Sequence, residues 1–255
     1  MHIIRIGKCA RNLKSKQCQG VPRRATNPWR CSGLRLKLAH MHTVVFYNNK
    51  GGIGKTTLSV HLALFASARR IRTMVVCLDR QGDVCRWLAK GDCRVHDGLF
   101  FKVNDYLQVL FSPMKLPKNI ENIDLLIVDC PPAVEVVDEV TADLWVVPLD
   151  GRLAMENLGN IHDSLCKATG AILLVLNRCD LIGKRALEGL RGAARQIPQA
   201  KLRDDPVPTS AAIAKAAEYF KPVWEVPYGR GTQGDHAIQQ LCSEILISQG
   251  LDGKI

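Results

Sequence analysis

The stretch NNKGGIGKTT at residues 48–57 contains the residue types that bind phosphate groups. Glycine at Gly51, Gly52 and Gly54 lets backbone N–H groups converge on phosphate oxygens without a Cβ in the way. The helix expected to follow adds the partial positive charge of its N-terminus. Lys55 is then placed to reach the β- and γ-phosphates of a nucleotide. The stretch therefore predicts a phosphate-binding loop between a strand and a helix.

The same stretch departs from the usual spacing of such loops. The first glycine of G-x-x-x-x-G-K-[ST] would fall at Asn49, and a lysine, Lys50, follows where the spacing requires none. The Thr56 hydroxyl is expected to bind Mg²⁺, and Thr57 to contact the α-phosphate. The residues predicted to bind the nucleotide in this loop are Gly51, Gly52, Ile53, Gly54, Lys55, Thr56 and Thr57.

An apolar segment ending in aspartate, IDLLIVD at 123–129, predicts a second part of the site. A carboxylate at the end of a buried strand beside a phosphate loop can hold Mg²⁺ directly or through water. We therefore predict Asp129 as a metal-binding residue together with Thr56.

Two further polar segments follow apolar runs. Asp79, in LDRQGD at 78–83, is positioned to orient the water that attacks a γ-phosphate, with Gln81 close by. Asn177 ends the run AILLVLN, and an amide there can hydrogen-bond an adenine edge through both donor and acceptor. We predict Lys55 and Asp79 as catalytic residues and Asn177 as a nucleotide contact.

These polar residues can form one site only if the ends of the strands that precede them lie at the same edge of a sheet. Continuous Val/Ile/Leu runs separated by helical patterns predict an α/β protein with a doubly wound, mostly parallel sheet in a single domain. Ligands of such sheets bind beyond the carboxyl ends of the strands. We predict strands at 43–48, 73–79, 123–129, 143–150 and 171–177, and helices at 55–70, 152–168, 183–196, 209–219 and 235–248.

The positive charge of the chain is concentrated at its start. The formal net charge is +11, yet residues 1–40 hold ten of the 35 Lys and Arg and no acidic residue, so the remainder carries 25 basic and 24 acidic residues. We predict a disordered basic leader over 1–40 and one domain over 41–255. The leader could be an organelle transit peptide or a nucleic-acid-binding tail, or Met41 could be the natural start.

Cysteine spacing and hydropathy indicate the cellular compartment of the protein. The ten cysteines include no C-x-x-C pair, which indicates reduced thiols rather than a zinc or redox motif. No apolar stretch reaches the roughly 18 residues of a membrane span. The sequence therefore predicts a cytoplasmic protein without a membrane partner.

KGGIGKTT, the Asp79 segment and the VDCPP segment together resemble the deviant Walker A P-loop NTPases. More specifically, they resemble the ParA-type partition ATPases in the short form that lacks an N-terminal helix-turn-helix domain, over roughly residues 41–250. PTSAAIAKAAEYFKPVWE at 208–225 is similar to a family segment of the partition branch. The resemblance implies ATP and Mg²⁺ as cofactors, ATP hydrolysis, and a homodimer that sandwiches two nucleotides.

The resemblance implies that Lys50 is a catalytic and nucleotide-binding residue that acts in the partner subunit. The family's signature lysine stands at this place and reaches the phosphates bound by the other copy, where it neutralises charge that develops during phosphoryl transfer. The family commonly has D-x-D-P-Q in the Asp79 segment, whereas Cys77 replaces its first Asp and Arg80 its Pro. Asp79 keeps the second carboxylate, so hydrolysis is expected at a rate that these two replacements put in doubt.

Partition ATPases bind DNA non-specifically as ATP dimers and are stimulated by an adaptor of the ParB, centromere-binding type. The resemblance therefore implies segregation or positioning of plasmid or chromosomal DNA and association with the nucleoid. Residues 184–221 hold eight basic and four acidic residues, which could contact DNA phosphates. The candidate DNA-binding residues are Lys184, Arg185, Arg191, Arg195, Lys201 and Arg203.

Other functions on this fold stay open. A MinD-like positioning ATPase would need a C-terminal basic amphipathic helix, and residues 237–249 contain no Lys or Arg. An iron–sulfur carrier would need paired cysteines at a dimer interface, and an amidoligase-type synthetase a second substrate pocket. A nucleotide-gated binding module with little hydrolysis is the remaining alternative, because Cys77 and Arg80 depart from the family pattern.

Overall fold

A computed structural model describes residues 41–252 of the chain, apart from 92–97, 99, 118–119 and 134–135. The predicted basic leader over 1–40 lies outside the described residues. Strands and helices alternate along the chain in the order β1 His42–Phe46, α1 Lys55–Ala68, β2 Thr73–Cys77, α2 Asp83–Leu88, β3 Phe100–Asn104, β4 Leu107–Phe111, β5 Leu125–Asp129, α3 Val136–Glu139, β6 Leu144–Asp150, α4 Ala154–Lys167, β7 Ala171–Asn177, α5 Lys184–Ala194, β8 Ala200–Leu202, α6 Ala211–Glu218, a 3₁₀ turn Val223–Glu225 and α7 Gln233–Ser248.

The described strands form one sheet in the order β3-β4-β2-β5-β1-β6-β7-β8. All neighbours pair in parallel except β3, which runs antiparallel to β4. The predicted doubly wound, mostly parallel sheet is therefore confirmed. β1 lies between β5 and β6, so the loop that follows it opens at the middle of the carboxyl edge, where such sheets bind ligands.

Helices cover both faces of this sheet. One apolar core lies between the sheet and α1, α2, α6 and α7, with Phe46, Val75 and Ile127 fully buried at its centre. The other lies between the sheet and α3, α4 and α5, and it includes Trp145, whose Nε1 donates to the Thr169 carbonyl at 2.6 Å. Burial on both faces explains why the strands are continuous apolar runs.

The five predicted strands and five predicted helices are all present, with ends shifted by up to two residues. The sequence prediction missed β3, β4, β8 and the short helices α2 and α3. In β3 the exposed residues alternate with half-buried ones, so its apolar content is low. The other missed elements have three to six residues, too few for a periodic pattern to stand out.

Candidate functional site

The glycine loop connects β1 to α1 and forms one wall of an open cleft. Gly52 and Gly54 have φ values of 67° and 102°, a backbone region that disfavours side chains, and α1 begins directly after Gly54. The cleft encloses about 440 Å³. Its lining consists of Gly51, Gly52, Ile53, Gly54, Lys55, Thr56, Thr57, Asp79, Gln81, Asp83 and Pro132.

Lys55 is the buried cation of this loop. Only 6% of the residue is exposed, and its Nζ donates to the Lys50 carbonyl oxygen at 2.9 Å. Burial lowers the pKa of Lys55, while the nearby Asp129, Cys130 and Asp79 act in the opposite direction. Lysine held inside a loop of glycine amides presents a fixed positive centre, which fits a triphosphate.

Asp129 ends β5 directly beside β1, where it pairs in register with Phe46. Its Oδ2 accepts from the Thr56 hydroxyl at 2.9 Å and its Oδ1 from the Ser59 hydroxyl at 3.2 Å. Burial raises the pKa of Asp129 to about 7, and the hydrogen bonds from Thr56 and Ser59 oppose that rise. A buried carboxylate next to a threonine hydroxyl is an oxygen donor set that fits Mg²⁺.

The segment after β2 brings a second carboxylate to the cleft. Asp79 is half-buried, lines the cleft, and accepts from the Gln81 backbone N–H at 2.9 Å. Cys77 is fully buried at the end of β2, and its thiol donates to the Asp79 carbonyl at 3.3 Å. Arg80, by contrast, is exposed. Of the two departures from the family pattern, Cys77 is thus buried beneath the Asp79 segment, and Arg80 is exposed to solvent.

Asn177 contacts the phosphate loop in the structure. Its Nδ2 donates to the Ile53 carbonyl at 2.8 Å, and a Cβ added to Gly54 would lie 2.3 Å from that nitrogen. Only 6% of Asn177 is exposed. One donor of the amide therefore supports the loop, a role that the sequence analysis missed, and the expected adenine contact stays a prediction.

Lys50 differs from Lys55 in being only half-buried and in not lining the cleft. Its backbone N–H donates to Asn48 Oδ1 at 2.9 Å, and Asn48 in turn donates to the Pro148 carbonyl at 2.9 Å. Within the described part of the chain, the ammonium group of Lys50 has no hydrogen-bond or ion-pair partner. The loop backbone is thus anchored to β6 while this lysine side chain stays available.

Three residues support the site without having been predicted. Asn48 and Ser59 make the contacts given above. His61 is fully buried in α1, with Nδ1 2.6 Å from the Thr57 carbonyl and Nε2 accepting from the Val223 N–H at 3.0 Å. Burial lowers the pKa of His61 to about 4. A polar residue on the buried face of a helix was the available sequence signal for Ser59 and His61.

The candidate DNA-binding residues divide into an exposed group and a buried one. The exposed ones lie on α5, at its C-cap and in β8: Lys184, Arg185, Arg191, Arg195 and Lys201. Arg191 also pairs with Asp204 at 2.9 Å. Arg203 is only 3% exposed and binds both carboxylate oxygens of Glu244, at 2.7 and 3.0 Å. The prediction for Arg203 is therefore wrong, since this side chain ties β8 to α7.

Two searches of the described residues were negative. No group of three or more His, Cys, Asp or Glu side chains there could hold a metal ion. Within the same residues, no helix combines the length and apolar character needed to cross a membrane.

Comparison with known proteins agrees with this architecture. Residues 41–111 match a family model described as an AAA domain. The maintenance of carboxysome distribution protein A of Gloeobacter kilaueensis is 26% identical over 151 residues, which cover 56% of this chain and 65% of that protein. The match thus spans just under two thirds of that relative.

Solved structures match over most of the chain. The septum site-determining protein MinD of Pyrococcus horikoshii, complexed with Mg-ADP, superimposes with a TM-score of 0.64 at 18% identity, over 85% of this chain and all of that one. The ATP complex of a substituted Cyanothece McdA gives 0.63 at 17% identity, over 81% and 96%. A Borrelia burgdorferi putative plasmid partition protein bound to AMPPNP gives 0.59 at 14% identity, over 82% and all of that chain. The chain therefore has the fold of these nucleotide-bound structures.

Proposed function

We propose that this chain is an ATPase that dimerises around ATP and Mg²⁺ and positions or segregates DNA. One observation carries the proposal: next to the phosphate loop stands a second lysine, Lys50, which is absent from the cleft lining and whose ammonium group has no partner among the described residues. A single subunit already has Lys55 for its own phosphates. A second cation that does not line the cleft of its own subunit is therefore best used on the nucleotide of a second copy.

The binding step uses residues that already lie together. The amides of the glycine loop and Lys55 would bind the phosphates, and Thr56 with Asp129 would hold Mg²⁺. When bound, the metal ion neutralises the charge that develops on the phosphate oxygens. Asp129 is the residue best placed for this role because Thr56 and Ser59 already orient its carboxylate.

The hydrolytic step depends on Asp79. Its carboxylate lines the cleft and would orient the attacking water through a hydrogen bond. The bond from Gln81 N–H occupies Oδ1 and fixes the carboxylate at the start of its loop. Asp79 would orient the water, and lysines of both subunits would neutralise the developing negative charge. Hydrolysis would then need no covalent intermediate.

The switch follows from the proposed contact between Lys50 and the nucleotide of the partner subunit. Contacts to a partner's γ-phosphate exist only while ATP is intact, so ATP favours the dimer and hydrolysis favours its release. The exposed cations of α5 and β8 would bind DNA phosphates without reading sequence, and two copies double their number. We infer association with the nucleoid and stimulation by an adaptor of the ParB type on this basis and on the resemblance.

The decisive experiment measures mass in solution by light scattering after gel filtration. Wild type with Mg²⁺ and a slowly hydrolysed ATP analogue should elute as a dimer, and with ADP as a monomer. Lys50→Ala should stay monomeric with the analogue while still binding it. Lys167→Ala, an exposed lysine at the end of α4, is the control and should dimerise normally. A wild-type monomer at saturating analogue would refute the dimer and with it the proposed switch.

A nucleotide-gated binding module is the second candidate, favoured by Cys77 and Arg80. Such a module would also dimerise and bind DNA through the same surface, but it would hydrolyse little ATP. Phosphate release should be slow alone and should rise with DNA and adaptor if the chain is an ATPase. A rate that stays at the level of an Asp79→Ala variant under all conditions would favour the binding module.

A further inference from the structure

A second, apolar pocket shares two walls with the nucleotide cleft. Leu78 lines this pocket, and the next residue in the chain, Asp79, lines the cleft. Pro131 and Pro132 divide between the two cavities in the same way. The segments that follow β2 and β5 therefore separate the pocket from the cleft, and consecutive residues of each segment line different cavities.

We call this cavity the α3 pocket, because Val136 and Glu139 of α3 line it together with Leu78, Pro131 and Met114, among others. It encloses about 40 Å³, which is more than a single water molecule needs. Leu78 and Val136 are buried in the apolar core on this face of the sheet. The pocket is thus an apolar depression with room for the end of one side chain.

One wall of the α3 pocket is tied to the end of β2 by backbone hydrogen bonds. The Ser112 N–H donates to the Cys77 carbonyl at 3.0 Å, and the Met114 N–H donates to the Leu78 carbonyl at 3.1 Å. Met114 has a φ of 59°, which disfavours a side chain, and it is 45% exposed. Such backbone strain clusters at functional sites, and methionine adapts its shape to apolar ligands. This wall therefore combines a fixed backbone with an accessible, adaptable side chain.

The charge beside the α3 pocket is negative. α3 ends with Asp138 and Glu139, which are both exposed, and Glu139 lines the pocket. Among the described residues, neither carboxylate has a hydrogen-bond or ion-pair partner, and none of those that line the pocket is basic. Exposed carboxylates attract cations, most strongly at low ionic strength. The α3 pocket therefore fits an apolar side chain whose neighbours are lysine or arginine.

We propose that the α3 pocket is the docking site of the adaptor, which inserts one apolar side chain flanked by basic residues and thereby stimulates hydrolysis. The inference rests on the proposed function, in which an adaptor raises ATP turnover, and it adds the surface that receives the adaptor. An occupied pocket restrains Leu78 and Pro131, so their chain neighbours Asp79 and Pro132 are restrained in the cleft. Asp79 then orients the attacking water for a larger fraction of the time.

Two capped peptides test the docking step. Both contain six lysines, three on each side of a central residue that is leucine in one peptide and serine in the other. Fluorescence anisotropy at low ionic strength measures the binding of each labelled peptide to the full chain without nucleotide. The leucine peptide should bind wild type about tenfold more tightly or better, because one leucine side chain leaves water. Equal affinities of the two peptides would overturn the pocket as the docking site.

Two variants at exposed positions separate the charge from the apolar contact. Glu139→Gln should weaken both peptides about two- to fivefold, as for a lost exposed ion pair. Met114→Gln should weaken the leucine peptide and leave the serine peptide unchanged. Glu218→Gln, at an exposed glutamate that ends α6, is the control and should match wild type. Wild-type affinity of Glu139→Gln for both peptides would refute the role of the acidic side chain.

Phosphate release with Mg²⁺ and ATP tests the effect on hydrolysis. Saturating leucine peptide should raise the wild-type rate about threefold or more, since the position of Asp79 controls the water, whereas the serine peptide should not. Glu139→Gln should keep the wild-type basal rate and need more peptide for the same rise.

The outcomes distinguish this inference from the proposed function. A leucine peptide that binds wild type without raising phosphate release would overturn the link between the α3 pocket and Asp79. Wild-type protein that releases no phosphate under any condition would refute the ATPase activity of the proposed function. The comparison of the two peptides would then still decide whether the α3 pocket is a docking site.

Discussion

The charged residues at the carboxyl edge of the sheet, here called the phosphate end, and those on the exposed surface of α5 differ in burial and in hydrogen bonding. At the phosphate end, Lys55 and Asp129 are buried and each has a partner on another element or along the loop. On α5, only Leu190 and Ala194 are buried, and the basic side chains extend into solvent. The binding of phosphate would depend on buried groups that are hydrogen-bonded to specific partners. The binding of DNA by α5 would depend only on the charge of exposed side chains.

This difference determines how each region responds to change. A buried, hydrogen-bonded group cannot be removed without leaving its partner unsatisfied, so single substitutions there have large effects. Exposed cations interact through water and salt, and each contributes little. The variants below test that contrast, beginning with the largest expected effect.

Lys55→Ala should abolish nucleotide binding. The substitution removes the fixed positive centre of the loop, and we expect affinity for ATP to fall by about 100-fold or more, as for a lost buried charge contact. Titration calorimetry of the purified variant with Mg²⁺ and ATP measures this loss. Lys50→Ala should bind ATP within a few-fold of wild type as a monomer, and a similar loss in both variants would show that the two lysines are not functionally distinct.

Acidification should reduce the contribution of His61 to the free energy of unfolding. Because its pKa falls from 6.5 unfolded to about 4 folded, the unfolded chain binds more protons between these values. The contribution of His61 to stability is therefore complete above pH 6.5 and is lost toward pH 4, by roughly 3 kcal/mol in total. Asp129, whose pKa is raised to about 7 in the folded chain, acts in the opposite direction over the same range, so the His61 contribution is the difference between the wild-type and His61→Gln slopes. Urea unfolding at pH 7, 6 and 5 measures the slope.

The matched variants for that slope are His61→Gln and His236→Gln. His61→Gln should be less stable at pH 7 but should lose less stability on acidification, because the buried imidazole is gone. His236 is exposed, so His236→Gln should keep the wild-type slope. An unchanged slope in His61→Gln would mean that another group produces the pH dependence.

Gly54→Ala should destabilise the loop more than Gly51→Ala. At Gly54 the φ of 102° disfavours a side chain, and the new Cβ would press on Asn177, with an expected cost of about 2 kcal/mol. At Gly51 a Cβ meets nothing within 4 Å and φ is not in the positive range. Chemical denaturation of both variants gives the difference. Equal stabilities would show that the loop yields at Asn177.

Single substitutions on α5 should have the smallest effects. Arg185→Ala and Arg195→Ala should each weaken binding to random-sequence DNA about two- to fivefold and should lower the dependence on salt by roughly one counterion. Fluorescence anisotropy at several salt concentrations measures both. Arg203→Ala is the contrasting variant: it should lower the unfolding midpoint, because Glu244 loses its partner, with little change in the salt dependence.

The same contrast explains what could be predicted from sequence. The loop, Asp129 and Asp79 follow contiguous apolar runs, so their place at strand ends could be inferred. The support of the loop by Asn177 spans 124 residues, and its geometry depends on how β1 and β7 are placed around β6. Arg203 looked like its exposed neighbours because nothing in the local sequence shows that Glu244 of α7 packs against β8.

The bond between Lys55 Nζ and the Lys50 carbonyl has an energetic consequence. A free lysine would lose rotational freedom when it met a phosphate, whereas this side chain is already restrained before any ligand arrives. When the Lys55 ammonium group donates to a phosphate instead of to the Lys50 carbonyl oxygen, the backbone of Lys50 would lose this hydrogen bond. Nucleotide binding to one subunit would thus first affect Lys50, the residue that we propose contacts the nucleotide of the other subunit.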